Sequence, residues 1–331
     1  MGAASRQRHT PMLPPQQFHC LLDELPLHLI PQHGIDRRLH WHCPSQPLFL
    51  NPDCLLLPAG TLPPELQLRR DLLERFYLQS TIAWVPDPAT GSLHPFWLGP
   101  ELEAVVSNLH PGEPAPASLP YLQRLLLAAA GILTPADYAQ HRRAEWFAIV
   151  SKPSRTFREK NYAPLADLIH PFHLAALRRY YRYAIRRGAI WLGDEQSSLR
   201  YVAHNEPVAR YFHHQIAKAV SDVVGEPVKP SYVYLASYLS GAELKKHTDR
   251  QQCEFSVTLC LDFSPEPEMA TPWPIRLDTS EGNVTVFQAL GDGLVYRGTK
   301  VPHYRHALAQ GYTSTSLFFH YVPADFSGPL D

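Results

Sequence analysis

The sequence predicts an α+β protein in which helices and loops come first and a run of short strands closes the chain. Three observations carry that expectation. Segments 231–237, 254–261, 283–288, 293–297 and 313–321 are short, rich in Val, Tyr, Phe and Thr, and punctuated by Gly and Pro, the texture of strands in a sandwich or barrel. Just upstream, Asn205 and Pro207 open a helix with Val208, Phe212, Ile216, Val220 and Val223 on one stripe, and Gly225 closes it. Helices feeding directly into strands are expected to buttress one face of a sheet. Together these predict a jelly-roll, cupin-like double-stranded β-helix core with buttressing helices, preceded by a helical and loop-rich N-terminal region.

The elements follow in chain order. Residues 1–65 are Pro-rich and irregular, and 66–78 reads as a helix. Turn signals at Asp87, Pro88, Gly91, Pro111, Gly112, Pro114 and Pro116 predict loop over 86–118. A helix over 119–130 is closed by Gly131. Thr134 and Pro135 then supply an N-cap and a Pro at the first helical position, for a helix running to about Phe147. Residues 164–187 read as helical with a break near Pro171. The cations of this stretch, Arg178, Arg179, Arg182, Arg186 and Arg187, are expected on a solvated face near a helix C-terminus, where the dipole favours them. The expected division is 1–150, of unassigned role, and 160–331, with its core at 205–323.

Bulk properties narrow the function classes. The chain has 331 residues, enough to bury a substantial core. Its 30 Lys+Arg balance 31 Asp+Glu, for a formal charge of -1, and this balance gives no support to nucleic-acid binding. No apolar run of about eighteen residues is present, and the N-terminus has no apolar leader core, so no membrane anchor is expected. Arg6 breaks the myristoylation pattern. Five Cys is an odd count for a disulfide framework and fits a reducing, cytoplasmic setting. Cys20, His40, His42, Cys43 and Cys54 could ligate zinc, but their spacing matches no finger or ribbon.

The chemistry concentrates at His247, Thr248 and Asp249. In an extended stretch, period-2 geometry sends the first and third side chains to one face. An imidazole and a carboxylate side by side need one further imidazole to make a facial triad with open positions, the arrangement suited to non-haem Fe(II). Downstream, His303 and His306 offer two candidates. In a strand they face opposite sides, so one of them can reach the metal.

The order of Tyr238 and Gly241, then His247 and Asp249, then a strand from Gly291 to Tyr296, then His303 and the closing segment 313–321 resembles the non-haem Fe(II), 2-oxoglutarate-dependent oxygenase superfamily, in particular its prolyl-hydroxylase-like branch. The resemblance covers about the last third of the chain and lies in order and spacing. It implies His247, Asp249 and His303 as catalytic metal ligands, Fe(II) and O2 as cofactors, and 2-oxoglutarate as cosubstrate, converted to succinate and CO2 as an unactivated C–H is hydroxylated. It also implies a hydrogen bond from Tyr238 to the cosubstrate. The carboxylate of Asp249 sets the chain apart from related halogenases and favours hydroxylation or desaturation. Many relatives carry a basic residue on the closing strand, and here 312–316 has none. A buried carboxylate wants a bidentate cation; Arg305, on the same strand face as His303, is the expected anchor, with Arg250 and Arg297 as alternatives and the Thr313 and Thr315 hydroxyls as further donors. The substrate is expected to be an amino-acid side chain in a peptide or protein, or a small metabolite. The alternative is a non-catalytic jelly-roll binding or scaffold protein, with or without a metal. Oligomeric state is not readable.

Overall fold

The computed structural model describes residues 17–31 and 46–331, so His40, His42 and Cys43 of the suggested zinc cluster lie outside the described residues. Cys20, Cys54, Cys253 and Cys260 are free thiols. In the N-terminal part, β1 (Phe49–Leu50) pairs with β5 (Leu133–Thr134), while β2 (Leu55–Leu57), β3 (Ile82–Pro86) and β4 (Leu93–Trp97) form a three-stranded antiparallel sheet. The expected helix over 66–78 is cut to α1 (Pro64–Gln67) and a 3-10 turn at Arg70–Leu73. The expected loop over 86–118 instead holds β4 and α2 (Pro100–Val106). Pro88, Pro111 and Gly112 do make turns, but Phe96, Trp97 and Leu102 between them are buried, and that burial selects regular structure over loop.

The helix α3 (Tyr121–Ala129) ends as expected, with Gly131 at φ 73° in the left-handed region. The next helix, α4 (Tyr138–Lys160), starts later and runs further than predicted. Thr134 belongs to β5 and Asp137 takes the N-cap position; Pro153 is accommodated inside, and Asn161 at φ 60° ends the helix. Then β6 (Tyr162–Leu165) occupies the start of the segment predicted helical, so Pro164 sits on a sheet-edge strand, where its missing donor is tolerated. The helix α5 (Pro171–Arg186) has its Pro in the first turn.

The Arg-rich stretch divides: Arg186 and Arg187 are exposed at the helix C-terminus, as expected, whereas Arg178 and Arg182 correct the solvated-face expectation. Arg178 is fully buried, with Nε donating to Asp262 Oδ1 at 2.9 Å and Nη2 to Glu266 Oε2 at 2.7 Å, and it also donates to the Leu29 carbonyl. Arg182 forks onto the same Asp262 at 2.5 and 2.8 Å. Arg178 and Arg182 face the sheet because Asp262 breaks the apolar run of the strand that carries it. Leaving one member of a buried pair without its partner costs about 3–5 kcal/mol.

After β7 (Trp191–Leu192) and β8 (Arg200–His204), the predicted amphipathic helix appears as two, α6 (Pro207–Gln215) and α7 (Ala217–Val224), with Gly225 closing the second at φ 83°. Eight strands follow: β9 (Val228–Tyr238), β10 (Leu244–His247), β11 (Phe255–Ser264), β12 (Ile275–Thr279), β13 (Gly282–Val286), β14 (Gly293–Arg297), β15 (His303–Arg305) and β16 (Thr313–Pro323). They fall into two antiparallel sheets. One has the order β6-β14-β11-β16-β9-β8-β7 and the other β10-β15-β12-β13. The fold is thus mixed α and β with antiparallel sheets, and the chain crosses between the two sheets as it passes from β9 to β16.

The two faces of the larger sheet differ. On one, Val257, Leu259, Leu317 and Phe319 are buried in the cluster that also contains Val208, Phe212 and Val220 of the helices. That cluster is continuous from Phe18 to Tyr321. The other face carries Ser256, Thr258, Cys260, Ser314, Ser316 and His320, all buried. Polar side chains on an inner face need partners there, and this is the side on which the metal-ligating candidates lie.

Candidate metal centre

His247 ends β10 and His303 begins β15, and the two are direct cross-strand partners. Cross-strand partners share a face, and the two rings stand 4.3 Å apart, centre to centre. Asp249 follows two residues on, where its backbone N–H donates to the Gly298 carbonyl at 2.8 Å. Its Oδ1 is 3.6 Å from Nε2 of His247 and 3.6 Å from Nε2 of His303. One ligand atom from each of the three lies within 4.8 Å of the others. The structure therefore brings the three predicted residues together.

Each imidazole is oriented from behind. Nδ1 of His247 lies 2.7 Å from the Lys245 carbonyl and Nδ1 of His303 lies 3.1 Å from the Val301 carbonyl. A carbonyl only accepts, so Nδ1 carries the proton in both and Nε2 presents its lone pair towards Asp249. Burial lowers the His303 pKa from its ordinary value, the direction that favours the neutral ring a metal needs. His247 is half-buried, so the cluster opens to solvent on that side. His306 is exposed and points its backbone carbonyl at the Trp273 indole, which leaves His303 as the third member.

Arg305 lies two residues beyond His303 on the same strand face, and both are buried while Tyr304 between them is partly exposed. Its guanidinium donates to the Trp273 carbonyl and to Gln288 Oε1 at 3.1 Å and packs 4.7 Å over the Trp273 ring. No carboxylate among the described residues pairs with it, and its Nε is buried without a hydrogen-bond partner. Burial accordingly lowers its pKa. A cation so placed is costly unless an anion joins it. The alternatives are otherwise engaged: Arg297 pairs with Glu254 at 2.6 Å, and exposed Arg250 packs 4.7 Å over the Tyr232 ring.

Tyr238 borders the same space. Its ring is 5.0 Å from Trp273 and its hydroxyl accepts from Arg200 Nη1 at 3.3 Å. The Tyr296 ring lies 4.6 Å from that of His303, tilted by 55°, with its hydroxyl 3.4 Å from Thr258 Oγ1. Thr313 and Thr315 do not join this group. Thr315 pairs in register with Ser237 and the two hydroxyls bond each other at 2.8 Å, whereas Tyr238 pairs with Ser314. Side chains alternate along a strand, so Ser314 and Ser316 share the Tyr238 side and the two threonines take the opposite face.

Sequence reasoning missed a second set of groups behind Asp249. Ser256 Oγ donates to Asp249 Oδ2 at 2.6 Å and lies 2.9 Å from His320 Nδ1. Cys253 Sγ, 3.0 Å from the Tyr232 hydroxyl, completes that wall. The signal available was Ser256 and His320 themselves, polar residues on the alternating inner positions of otherwise apolar strands.

No protein-family model matches the sequence, and no curated protein sequence matches it. Among solved structures, the chain is similar to a Pseudomonas putida prolyl-4-hydroxylase, at 16% identity and a TM-score of 0.43 over 53% of this chain and 98% of that one. It is similar to AviO1 from Streptomyces viridochromogenes Tue57, at 18% identity and a TM-score of 0.44 over 54% and 97% of the two chains. It is also similar to the non-haem α-ketoglutarate-dependent epimerase SnoN of nogalamycin biosynthesis, at 13% identity and a TM-score of 0.43 over 54% and 84%.

Proposed function

We propose that the protein is an Fe(II)- and 2-oxoglutarate-dependent oxygenase built on a double-stranded β-helix, with His247, Asp249 and His303 holding the metal. The observation that carries the reading is the pairing of that convergent triad with a buried Arg305 on the same strand face, with which no carboxylate among the described residues pairs. Two imidazoles and one carboxylate form the donor set that leaves positions open on ferrous ion, and both imidazoles already present Nε2. Two residues of strand separate His303 from Arg305, about 6.6 Å, the length scale of a five-carbon dicarboxylic acid lying between a metal and a guanidinium. The strand order supports the architectural part, because from β9 to β16 the chain alternates between two antiparallel sheets except at the β12–β13 hairpin.

In this reading, bound iron with 2-oxoglutarate and O2 supplies the oxidation of a substrate C–H, with succinate and CO2 released. The chain's own residues do the rest. Arg305 takes the far carboxylate through its unpartnered Nε edge, Tyr238 and Tyr296 wall the cosubstrate pocket, and the half-buried side of His247 faces incoming substrate. The substrate is a small metabolite or a peptide or protein side chain, and residues 160–331 form the oxygenase unit with the described residues of 1–150 packed against it. No helix is long and apolar enough to cross a membrane among the described residues.

The test is succinate formation from 2-oxoglutarate by the purified protein with added Fe(II) under air. Iron-dependent succinate, lost in Asp249→Ala, is expected. The absence of succinate above a no-iron control, across metabolite and peptide mixtures, favours the non-catalytic jelly-roll alternative and overturns the proposal.

A further inference from the structure

We propose that Ser256 and His320 are positioning residues that hold Asp249 as a one-oxygen ligand, an inference that rests on the metal-centre reading above. The two oxygens of Asp249 have different surroundings. Oδ1 faces the His247 and His303 nitrogens at 3.6 Å each. Oδ2 receives the Ser256 hydroxyl at 2.6 Å. An ionised carboxylate only accepts, so the single hydroxyl proton of Ser256 is committed to Oδ2. The contact between Ser256 Oγ and His320 Nδ1 at 2.9 Å then has one consistent direction, with Nδ1–H donating to Oγ. The result is a chain of two hydrogen bonds running from β16 through β11 to Asp249.

That chain is rigidly founded. Ser256 and His320 are direct cross-strand partners, and both are buried. The backbone of His320 is fixed as well, because its carbonyl accepts from His213 Nε2 at 2.8 Å and from Ser231 Oγ at 2.9 Å. Gly298 closes the pocket from the other side, since a side-chain carbon there would press on Asp249 Oδ2, the Cys253 carbonyl and Ser256 Oγ. Oδ2 is thus turned away from the His pair, and the carboxylate offers the metal one oxygen in place of two. A ligand that takes one position leaves the others for a chelating cosubstrate and O2. Such outer hydrogen bonds are worth about 10–100-fold in metal affinity.

The decisive comparison separates hydrogen bonding from packing. The His320 ring also lies 4.6 Å from the Tyr232 ring. His320→Phe keeps a ring and removes the donor; His320→Asn removes the ring and keeps an N–H at the Nδ1 position. Mn2+, an air-stable probe, is titrated by calorimetry into the full-length wild type, Ser256→Ala, His320→Phe, His320→Asn and Cys253→Ser. Ser256→Ala is expected to bind about 10–100-fold more weakly, His320→Phe to be weakened in the same direction, and His320→Asn and Cys253→Ser to bind as wild type. Equal affinity in wild type and Ser256→Ala overturns the proposal. So does retention in the Phe variant with loss in the Asn variant, which assigns the ring to packing. A loss in Cys253→Ser equal to that in Ser256→Ala also overturns it, because Asp249, Cys253 and His320 form a second group with ligand atoms within 4.8 Å and metal would then sit on the Oδ2 side. If His247→Ala and His303→Ala leave Mn2+ binding untouched, the metal centre itself is wrong, an outcome distinct from the others.

Discussion

At the scale of single residues, the protein tolerates a cost at Arg305 that stability alone does not explain. A guanidinium buried with no carboxylate partner among the described residues, and with Nε unpartnered there, is a group whose replacement by an apolar side chain of similar volume is often neutral or stabilising. Arg305→Met is therefore expected to melt at or above the wild-type temperature without ligand, while its half-saturating 2-oxoglutarate concentration rises at least tenfold. Arg250→Ala, which removes an exposed side chain, is expected to change that concentration less than twofold. Thermal melts and succinate assays on the two variants check this, and equal shifts in both remove Arg305 as the anchor. Arg305 was legible because period-2 alternation links it to His303 without knowledge of the fold. His247 and Asp249 were legible for the same reason. Ser256 and His320 were not, since nothing local in the sequence ties position 256 or 320 to Asp249.

At the scale of elements, register decided what composition could not. The closing strand reads Thr, Ser, Thr, Ser from 313 to 316, so both faces carry hydroxyls and either could have pointed inward. The pairing of Ser314 with Tyr238 sets the face, and it puts the serines inside. Five strands of the C-terminal part were visible from their Val, Tyr and Phe content. Ile275–Thr279 was missed although Ile275 and Leu277 alternate with Arg276 and Asp278. The N-terminal elements were the least legible, because Pro and Gly mark turns but do not reveal that the apolar residues between them are buried by distant partners, as when Tyr211 donates to the Leu93 carbonyl. The turn after β14 makes a prediction of its own. Gly298 abuts Asp249, Cys253 and Ser256, so Gly298→Ala should cost about 1–3 kcal/mol as overpacking and weaken metal binding at least tenfold. Urea unfolding and metal titration measure the two effects, and a variant with wild-type metal affinity would show that the Asp249 loop yields freely.

At the scale of the molecule, the helices, the N-terminal sheet and the large sheet share one continuous apolar cluster that reaches Tyr238 and Trp273 beside the site, and the inner side of the large sheet adds the buried polar groups Ser256, Thr258, Ser314, Ser316 and His320. Arg178, tying Leu29 to Asp262 and Glu266, is the clearest bond between the first described segment and the strand core. Such long-range pairing is invisible in a local reading, which is why nothing local separates Arg178 and Arg182 from the exposed Arg186 and Arg187. The fold thus fixes two adjacent strands, β10 and β15, whose meeting point is where the metal is proposed to sit. The direct test is an anaerobic Fe(II) titration of wild type, His247→Ala, Asp249→Ala, His303→Ala and His306→Ala. One equivalent bound by wild type and by His306→Ala, with affinity lowered at least tenfold in each of the other three, is the predicted result. Undiminished Fe(II) affinity in His303→Ala would contradict the account.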